Sequence, residues 1–400
     1  MKARIPPGVW TLGFVSLLMD TSSELIHSLL PLFLAGTLGA SALTIGLIEG
    51  TAESIALIVK VFSGYLSDVT RRRKPLVLAG YGLAAVSKIA FPLAASIGWV
   101  VTARFVDRVG KGIRGAPRDA LIADLTPDAA RGAAFGLRQA LDTVGAIAGP
   151  LLAVAAITYF AGNFRAAFWL AVVPAFLCVL LIIFGVRERA DAPRTGPRIA
   201  WRDAGRLGGR FYLVTAIAVV LTLARFSEAF LVLRARDVGL ADQQAPWVMV
   251  VMSTVYAALA FPAGRAADRG LADRLLVGGL LALIASDLVL AHFATPLGAL
   301  VGSGLWGLHM ALTQGLLAAL VAATAPPHLR GSAFGVFNLA CGVALLAASA
   351  GAGALWDGLG PAFTFYAGAA LTTLAGIAWL LARPTLPRLA AERNDPPPRA

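Results

Sequence analysis

Read for apolar and polar stretches, the chain divides into about twelve apolar runs long enough to cross a bilayer, joined by short polar connections. The runs lie at Val9–Leu38, Leu43–Leu66, Leu76–Ala95, Gly98–Asp124, Gly132–Tyr159 and Ala166–Val186. After a polar interval they resume at Phe211–Leu233, Ala245–Ala267, Leu275–Phe293, Leu297–Ala323, Gly331–Leu355 and Ala362–Leu381. Interruption by Gly and Pro, without the strict alternation of outer-membrane strands, predicts helices. The first run carries Asp20 and Glu24 and is too long for a signal-peptide core, so it reads as a retained helix.

Composition agrees: 58% of the 400 residues are hydrophobic and only 14% are charged, which excludes an ordinary soluble domain. The net charge of +12 would suggest nucleic acid, but its placement excludes that reading. Arg71 to Lys74, then Arg187, Arg189, Arg194, Arg198, Arg202, Arg206 and Arg210, then the tail from Arg383 occupy alternate connections, with Arg165 the main exception. The positive-inside rule places both termini in the cytoplasm of a bacterial-type inner membrane and requires an even number of spans. Cys178 and Cys341 lie in apolar runs and support neither a disulfide framework nor a thiolate metal site.

The chain also repeats itself. Gly64-Tyr-Leu-Ser-Asp68 returns as Gly264-Arg-Ala-Ala-Asp268, and Arg131-Gly-Ala-Ala-Phe135-Gly136 returns as Arg330-Gly-Ser-Ala-Phe334-Gly335, each about two hundred residues on. Ser23-Glu24 has a looser counterpart in Ser227-Glu228. The expected organisation is a first six-helix half at 1–186, a cytoplasmic linker at 187–210, a second half at 211–382 and a cytoplasmic tail at 383–400, with substrate bound near the midplane between the halves.

With these motifs in view, the chain resembles a transporter of the major facilitator superfamily. Gly64, Asp68, Arg72 and Arg73 match that family's loop motif, with Val69 and Arg71 standing where a basic residue and a glycine are usual; Gly264, Asp268 and Arg269 match its second copy. Arg104 occupies the place of the family's fourth-span arginine, a residue linked there to proton coupling, while Asp107 and Arg108 replace the common Gln-Gly. Gly145-x-x-x-Gly149-Pro150 is similar to the antiporter motif of the fifth span, with Ala153 and Val154 in place of its last two glycines. The resemblance implies an all-α fold of twelve transmembrane helices, in two six-helix halves around a central cavity. It implies alternating access, export, a monomer, no cofactor and no enzymatic activity.

Candidate chemistry gathers in the fourth run. At 100° per residue, Arg104, Asp107, Arg108, Lys111, Arg114 and Arg118 fall within about 120° of one helix face. Facing lipid, the five from Arg104 to Arg114 would cost on the order of 15 kcal/mol at about 3 kcal/mol each, so the stripe is expected to line a polar cavity. The tenth run has Gly304, Gly307, Leu308, Ala311, Gln314 and Ala318 at the equivalent positions, so the stripe serves function more than architecture.

Asp20, Glu24 and His27 share a face of the first run, and Glu49, Glu53 and Lys60 a face of the second, with Lys88 in the third. An architectural reading pairs Glu49 or Glu53 with Lys60 or Arg108, and Asp20 or Glu24 with Arg104, and is favoured for Glu49, Lys60 and Lys88. For Asp20, Glu24 and Arg104 a proton-coupling role is favoured. Desolvation raises a carboxylate's proton affinity and a nearby guanidinium lowers it, so a change of partners moves a proton. His27, Glu49, Glu53, Asp107, Arg108, Lys111, Arg114, Arg225 and Glu228 are the expected cavity residues. Arg225 and Glu228, expected to pair locally, rank with Arg234, Asp237, Asp287 and His309 behind the first half as substrate contacts.

The sequence thus reads as a secondary transporter that exports a small anionic or zwitterionic molecule in exchange for protons. One alternative is divalent-cation efflux through Asp20, Glu24 and His27; another is a non-transporting sensor or scaffold. Gly110-Lys-Gly-Ile-Arg-Gly115 fits a dinucleotide fingerprint in letters only, because no strand precedes it. A phosphate loop fails because Phe105 and Gly112 stand where Gly and Ser or Thr belong.

Overall fold

Apolar segments in a bilayer must satisfy every backbone amide internally, which makes each run a helix. The computed structural model describes residues 5–70, 72–127, 130–188, 205–313, 316–326 and 329–386. Arg71, the linker residues Arg189, Arg194, Arg198 and Arg202, Gln314 and the tail beyond 386 lie outside the described residues, as do the side chains of Asp68 and Ala318. Within them the first half comprises α1 (Pro7–Leu32), α2 (Ala42–Thr70), α3 (Arg73–Ala90), α4 (Ile97–Leu125), α5 (Arg131–Tyr159) and α6 (Phe164–Gly185). The second comprises α7 (Gly209–Ala224), α8 (Ala229–Asp237), α9 (Trp247–Ala266), α10 (Ala272–His292), α11 (Pro296–Thr313), α12 (Leu316–Thr324), α13 (Arg330–Leu359) and α14 (Pro361–Ala382). Seven helical stretches among the described residues are long and apolar enough to cross a membrane; α4, with its charges, is not one of them.

Local signals explain the ends. Ser96 accepts a hydrogen bond from the Trp99 amide (3.3 Å) to start α4, and Asn163 accepts from Ala166 (3.1 Å) to start α6. Pro31 removes an amide from the last turn of α1, which widens into a π-helical turn at Phe33–Thr37. Gly360 turns α13 into α14 at φ 103°, a conformation suited to glycine.

The expected continuous helix Phe211–Leu233 is broken: α7 stops at Ala224 and α8 starts at Ala229. Side chains take over the backbone between them. The Ser227 amide donates to Ser349 Oγ (3.1 Å) and the Ala229 amide to Ser227 Oγ (3.2 Å), instead of to the carbonyls four residues back. By contrast α4 runs as one helix from Ile97 to Leu125, with Pro117 inside it.

Helix pairings repeat between the halves. α3 packs on α4 as α10 packs on α11, α2 on α4 as α9 on α11, and α1 on α6 as α7 on α14. The halves meet chiefly where α2 crosses α13, with further contact of α5 on α9 and α1 on α8. Small residues allow the main approach: a Cβ on Gly353 would lie 2.5 Å from the Ala42 carbonyl, and one on Gly50 3.0 Å from Leu346 Cα.

Core packing shows the shape that results. At the end holding Phe33, Phe91, Phe164 and Leu290, one apolar core runs through both halves. At the other end there are two cores, one built from residues such as Val9, Tyr81 and Ile182, the other from Phe211, Leu320 and Trp379. The molecule is therefore closed at one end and parted at the other.

The closed end carries a cap shared between halves. Asp357 of α13 accepts hydrogen bonds from the first two amides of α2, Ala42 (3.1 Å) and Leu43 (2.9 Å), satisfying donors that a helix start leaves open. Removing it with Asp357→Ala is expected to cost about 1 kcal/mol, an approximately fivefold shift away from the closed end. Electron-resonance distances between spin labels at positions 41 and 359 should lengthen accordingly. An unchanged distribution would show that the cap does not hold the halves together.

Candidate substrate cavity and buried charge network

Between the halves lies a cavity of about 610 Å³, within the range that takes up small organic molecules. Its first-half wall presents Glu24 and His27 from α1, Glu53 from α2, and Arg108 and Lys111 from α4. The opposite wall presents Arg225, Phe226 and Glu228 from the break between α7 and α8, with Met252, Tyr256 and Trp306 beside them.

Behind the first wall the charges form one connected network. His27 Nδ1 lies 3.4 Å from Glu24 Oε2 and its Nε2 lies 3.7 Å from Glu49 Oε2, which is also ion-paired with Arg104 Nη2. Arg104 Nη1 reaches Asp107 Oδ2 at 3.8 Å, and Lys88 Nζ donates to Asp107 Oδ1 (2.7 Å) and to Ser23 Oγ (3.1 Å). Nearer the cavity Glu53 takes Arg108 at 3.0 Å and Lys111 at 3.6 Å. Four carboxylates, Glu24, Glu49, Glu53 and Asp107, thus meet four cations, Lys88, Arg104, Arg108 and Lys111, so the network is neutral when His27 is. Balance is what allows Glu49, Lys88, Arg104 and Asp107 to be almost wholly buried. Glu49 Oε1, Arg104 Nε and Nη1 and Arg108 Nε nevertheless have no hydrogen-bond partner among the described residues.

Several expectations are corrected by this geometry. Arg104 pairs with Glu49 and Asp107, not with Asp20 or Glu24. The stripe does not line the cavity as a unit: Arg108 and Lys111 do, while Arg104 and Asp107, like Glu49 of α2, are enclosed by neighbouring helices and Arg114 stacks over the Tyr81 ring at 4.5 Å. A helix face gives direction only, and α1, α2 and α3 cover its buried part. Asp20 makes none of the network's ion pairs; its electrostatic neighbours are Asp142, Arg114, Arg118 and Glu24. Lys60 joins neither Glu49 nor Glu53. Arg225 and Glu228 are not ion-paired, because the break removes the helical spacing on which an i, i+3 pair depends. Among the described residues no three His, Cys, Asp or Glu side chains are grouped to hold a metal, so Asp20, Glu24 and His27 do not form a metal site.

The motif glycines have a steric role. A Cβ on Gly145 would lie 3.0 Å from Asp20 Cβ, and one on Gly149 2.5 Å from Glu24 Cβ, so these positions let α5, with Pro150 inside it, lie against the acidic face of α1. In the first loop motif Gly64 packs by Ala116, Arg72 is exposed, and Arg73 Nε lies 2.8 Å from Asp124 Oδ2. In the second, Gly264, Asp268 and Arg269 are exposed, the last two on a π-helical turn closed by Gly270 at φ 85°.

Sequence reasoning missed two features. Phe226 packs against Trp306 (5.4 Å between centroids) and Phe365 (5.7 Å) to form an aromatic wall. Arg138 bridges Asp119 (3.1 Å) and Asp142 across α4 and α5. The first had a signal in the polar interruption Arg225 to Glu228 inside an apolar run, the second in the i, i+4 spacing of Arg138 and Asp142. Asp287 of α10, ranked behind the first half from the sequence, is fully buried with neither oxygen hydrogen-bonded among the described residues.

The Lys88–Asp107 pair is a direct check on the network. Lys88→Met is expected to destabilise the protein by about 3 kcal/mol, since it leaves a buried carboxylate short of a partner. Asp107→Leu added to it restores the balance and recovers part of the loss, for a coupling of about 2 kcal/mol in thermal unfolding of the detergent-solubilised protein. Additive effects would show that the two side chains do not interact.

Comparison with known proteins agrees with this architecture. The sequence model of the Major Facilitator Superfamily matches residues 12–233 and 213–399. An uncharacterised MFS-type transporter of Methanocaldococcus jannaschii is 33% identical over 382 residues, which is 94% of each chain. The multidrug resistance protein MdtH of Photorhabdus laumondii is 25% identical over 366 residues, 88% of this chain and 87% of its own. Among solved structures, the peptide transporter POT in complex with sulfate superimposes with a TM-score of 0.80 over 96% of both chains at 17% identity, a likeness of fold. With a family match spanning both halves and a cavity between them, this chain is a membrane transporter, not an enzyme, and belongs to the major facilitator superfamily.

Proposed function

We propose that the protein is a proton-coupled secondary transporter that exports a small anionic or zwitterionic molecule by alternating access. The observation that carries this reading is the unbroken run of contacts Glu24, His27, Glu49, Arg104 from the cavity surface into the buried network. An imidazole between two carboxylates can take a proton on Nδ1 beside Glu24 and release one from Nε2 beside Glu49. Arg104, with donors still unsatisfied, is placed to change its hold on Glu49 as that proton arrives or leaves. Asp20 serves as a second acidic group on the same helix, held against α5 by Gly145.

Sidedness follows from charge. Arg72, Arg73, Lys74, Arg187, Arg206 and Arg210 lie at the parted end, which supports reading that end and both termini as cytoplasmic and this conformation as inward-facing. Export is supported by the glycines at Gly145 and Gly149 and by a relative named for multidrug resistance. The polypeptide works as a monomer, with 1–186 and 211–382 as its moving halves and 187–210 as the connection. The metal-efflux reading has no grouping of ligands among the described residues to support it.

The test is proton release from unbuffered, detergent-purified protein on addition of a panel of organic anions and amino acids. Release by wild type should be abolished in Glu24→Gln and Arg104→Ala. Variants that release protons as wild type does would remove the proposed relay.

A further inference from the structure

We infer that the cargo is a zwitterion with an apolar body, and that its two charges are read by Arg225 and Glu228 at the break between α7 and α8, not by the charged stripe of α4. This rests on the transporter reading and names the cargo's class.

The two walls of the cavity differ in what they have left to offer. On the first-half wall each charged side chain already has a partner: Glu53 has Arg108 and Lys111, and Glu24 has His27. On the opposite wall Arg225 and Glu228 line the cavity, yet neither side chain makes a hydrogen bond or ion pair among the described residues. They are electrostatic neighbours of each other without touching. Glu228 also faces Glu24, Glu53 and His27 across the cavity.

The break holds this pair open. Because the Ser227 and Ala229 amides turn to serine hydroxyls, the carbonyls of Leu223 and Arg225 lose the amides that a continuous helix would supply, and the segment cannot wind to bring Arg225 onto Glu228. Phe226 between them is buried and anchored on Phe230 (5.5 Å), Phe365 and Trp306. The resulting surface is a guanidinium and a carboxylate flanking a fixed aromatic wall. An anion alone would meet Arg225 but leave Glu228 unmatched and facing two further carboxylates. A cation alone would leave Arg225 unmatched. A molecule carrying both groups on an apolar body completes the site, and each unmatched charge costs about tenfold or more in affinity.

The experiment is calorimetric binding to the full detergent-purified chain of three matched probes: L-phenylalanine, N-acetyl-L-phenylalanine as the anion, and L-phenylalaninamide as the cation. The zwitterion should bind about tenfold or more tightly than either singly charged probe. Arg225→Gln should erase its advantage over the amide, and Glu228→Gln its advantage over the acetylated acid, in protein whose melting temperature stays near wild type. If Arg225→Gln does not fold, Arg225→Lys should retain the order of the three probes with a smaller spread. Equal binding of the three, binding of none, or an order unchanged in both variants overturns the proposal. Equilibrium binding requires neither a gradient nor a direction. A negative result here leaves proton coupling to the proton-release measurement, and a failure there leaves the charge preference intact.

Discussion

A charge taken into the middle of an apolar helix bundle has to be met within the bundle, because the loss of hydration is only offset by an opposite charge at contact distance. In this transporter Arg104 and Glu49 meet that demand at the centre of the first half, and the surrounding arrangement follows from keeping them matched. Asp107 balances Lys88 and Arg108 balances Glu53, so α1 to α4 are tied to one another by charge as well as by packing. The incomplete hydrogen bonding of Arg104 and Glu49 is the part of this arrangement that stability alone does not explain.

The packing around the network determines how the molecule can move. A single apolar core joins the halves at one end while each half has its own core at the other, so exchange of access requires the shared core to divide and the separate cores to remain whole. The contacts at the closed end are suited to separating and re-forming, since the glycine-lined crossings of α2 on α13 and the helix cap supplied by Asp357 are individually small. Gly145 and Gly149 bring α5 onto the acidic face of α1, which joins that face to the contact of α5 with α9. Packed surfaces of this kind switch between discrete arrangements.

The two halves differ in how they meet their charges. Their helix pairings correspond, but the first half pairs its charges within itself and the second leaves Arg225 and Glu228 open to the cavity, beside an aromatic wall. Lys88 in α3 has Asp107; Asp287, in the corresponding helix α10, has no such partner among the described residues.

The sequence by itself determined the class of fold, the run of twelve helices, the internal repeat and the fact that the first half holds buried charge. These depend on the apolar length of each segment and on the 3.6-residue period, which are local properties. It could say that Arg104, Asp107 and Arg108 share a face, and it offered Glu53 among the partners for Arg108, but not that Arg104 would take Glu49 and Asp107 would take Lys88, both distant in the chain. Only the tertiary structure decided that Glu49 and Asp107 are enclosed while Lys111 faces the cavity, because which helix covers a face depends on how α1, α2 and α3 pack around α4. It also decided that the seventh span is broken, since Ser349, which helps to hold the break, arrives from a helix more than a hundred residues later. Pairing and exposure are relations between segments, so they came into being only when the helices were assembled.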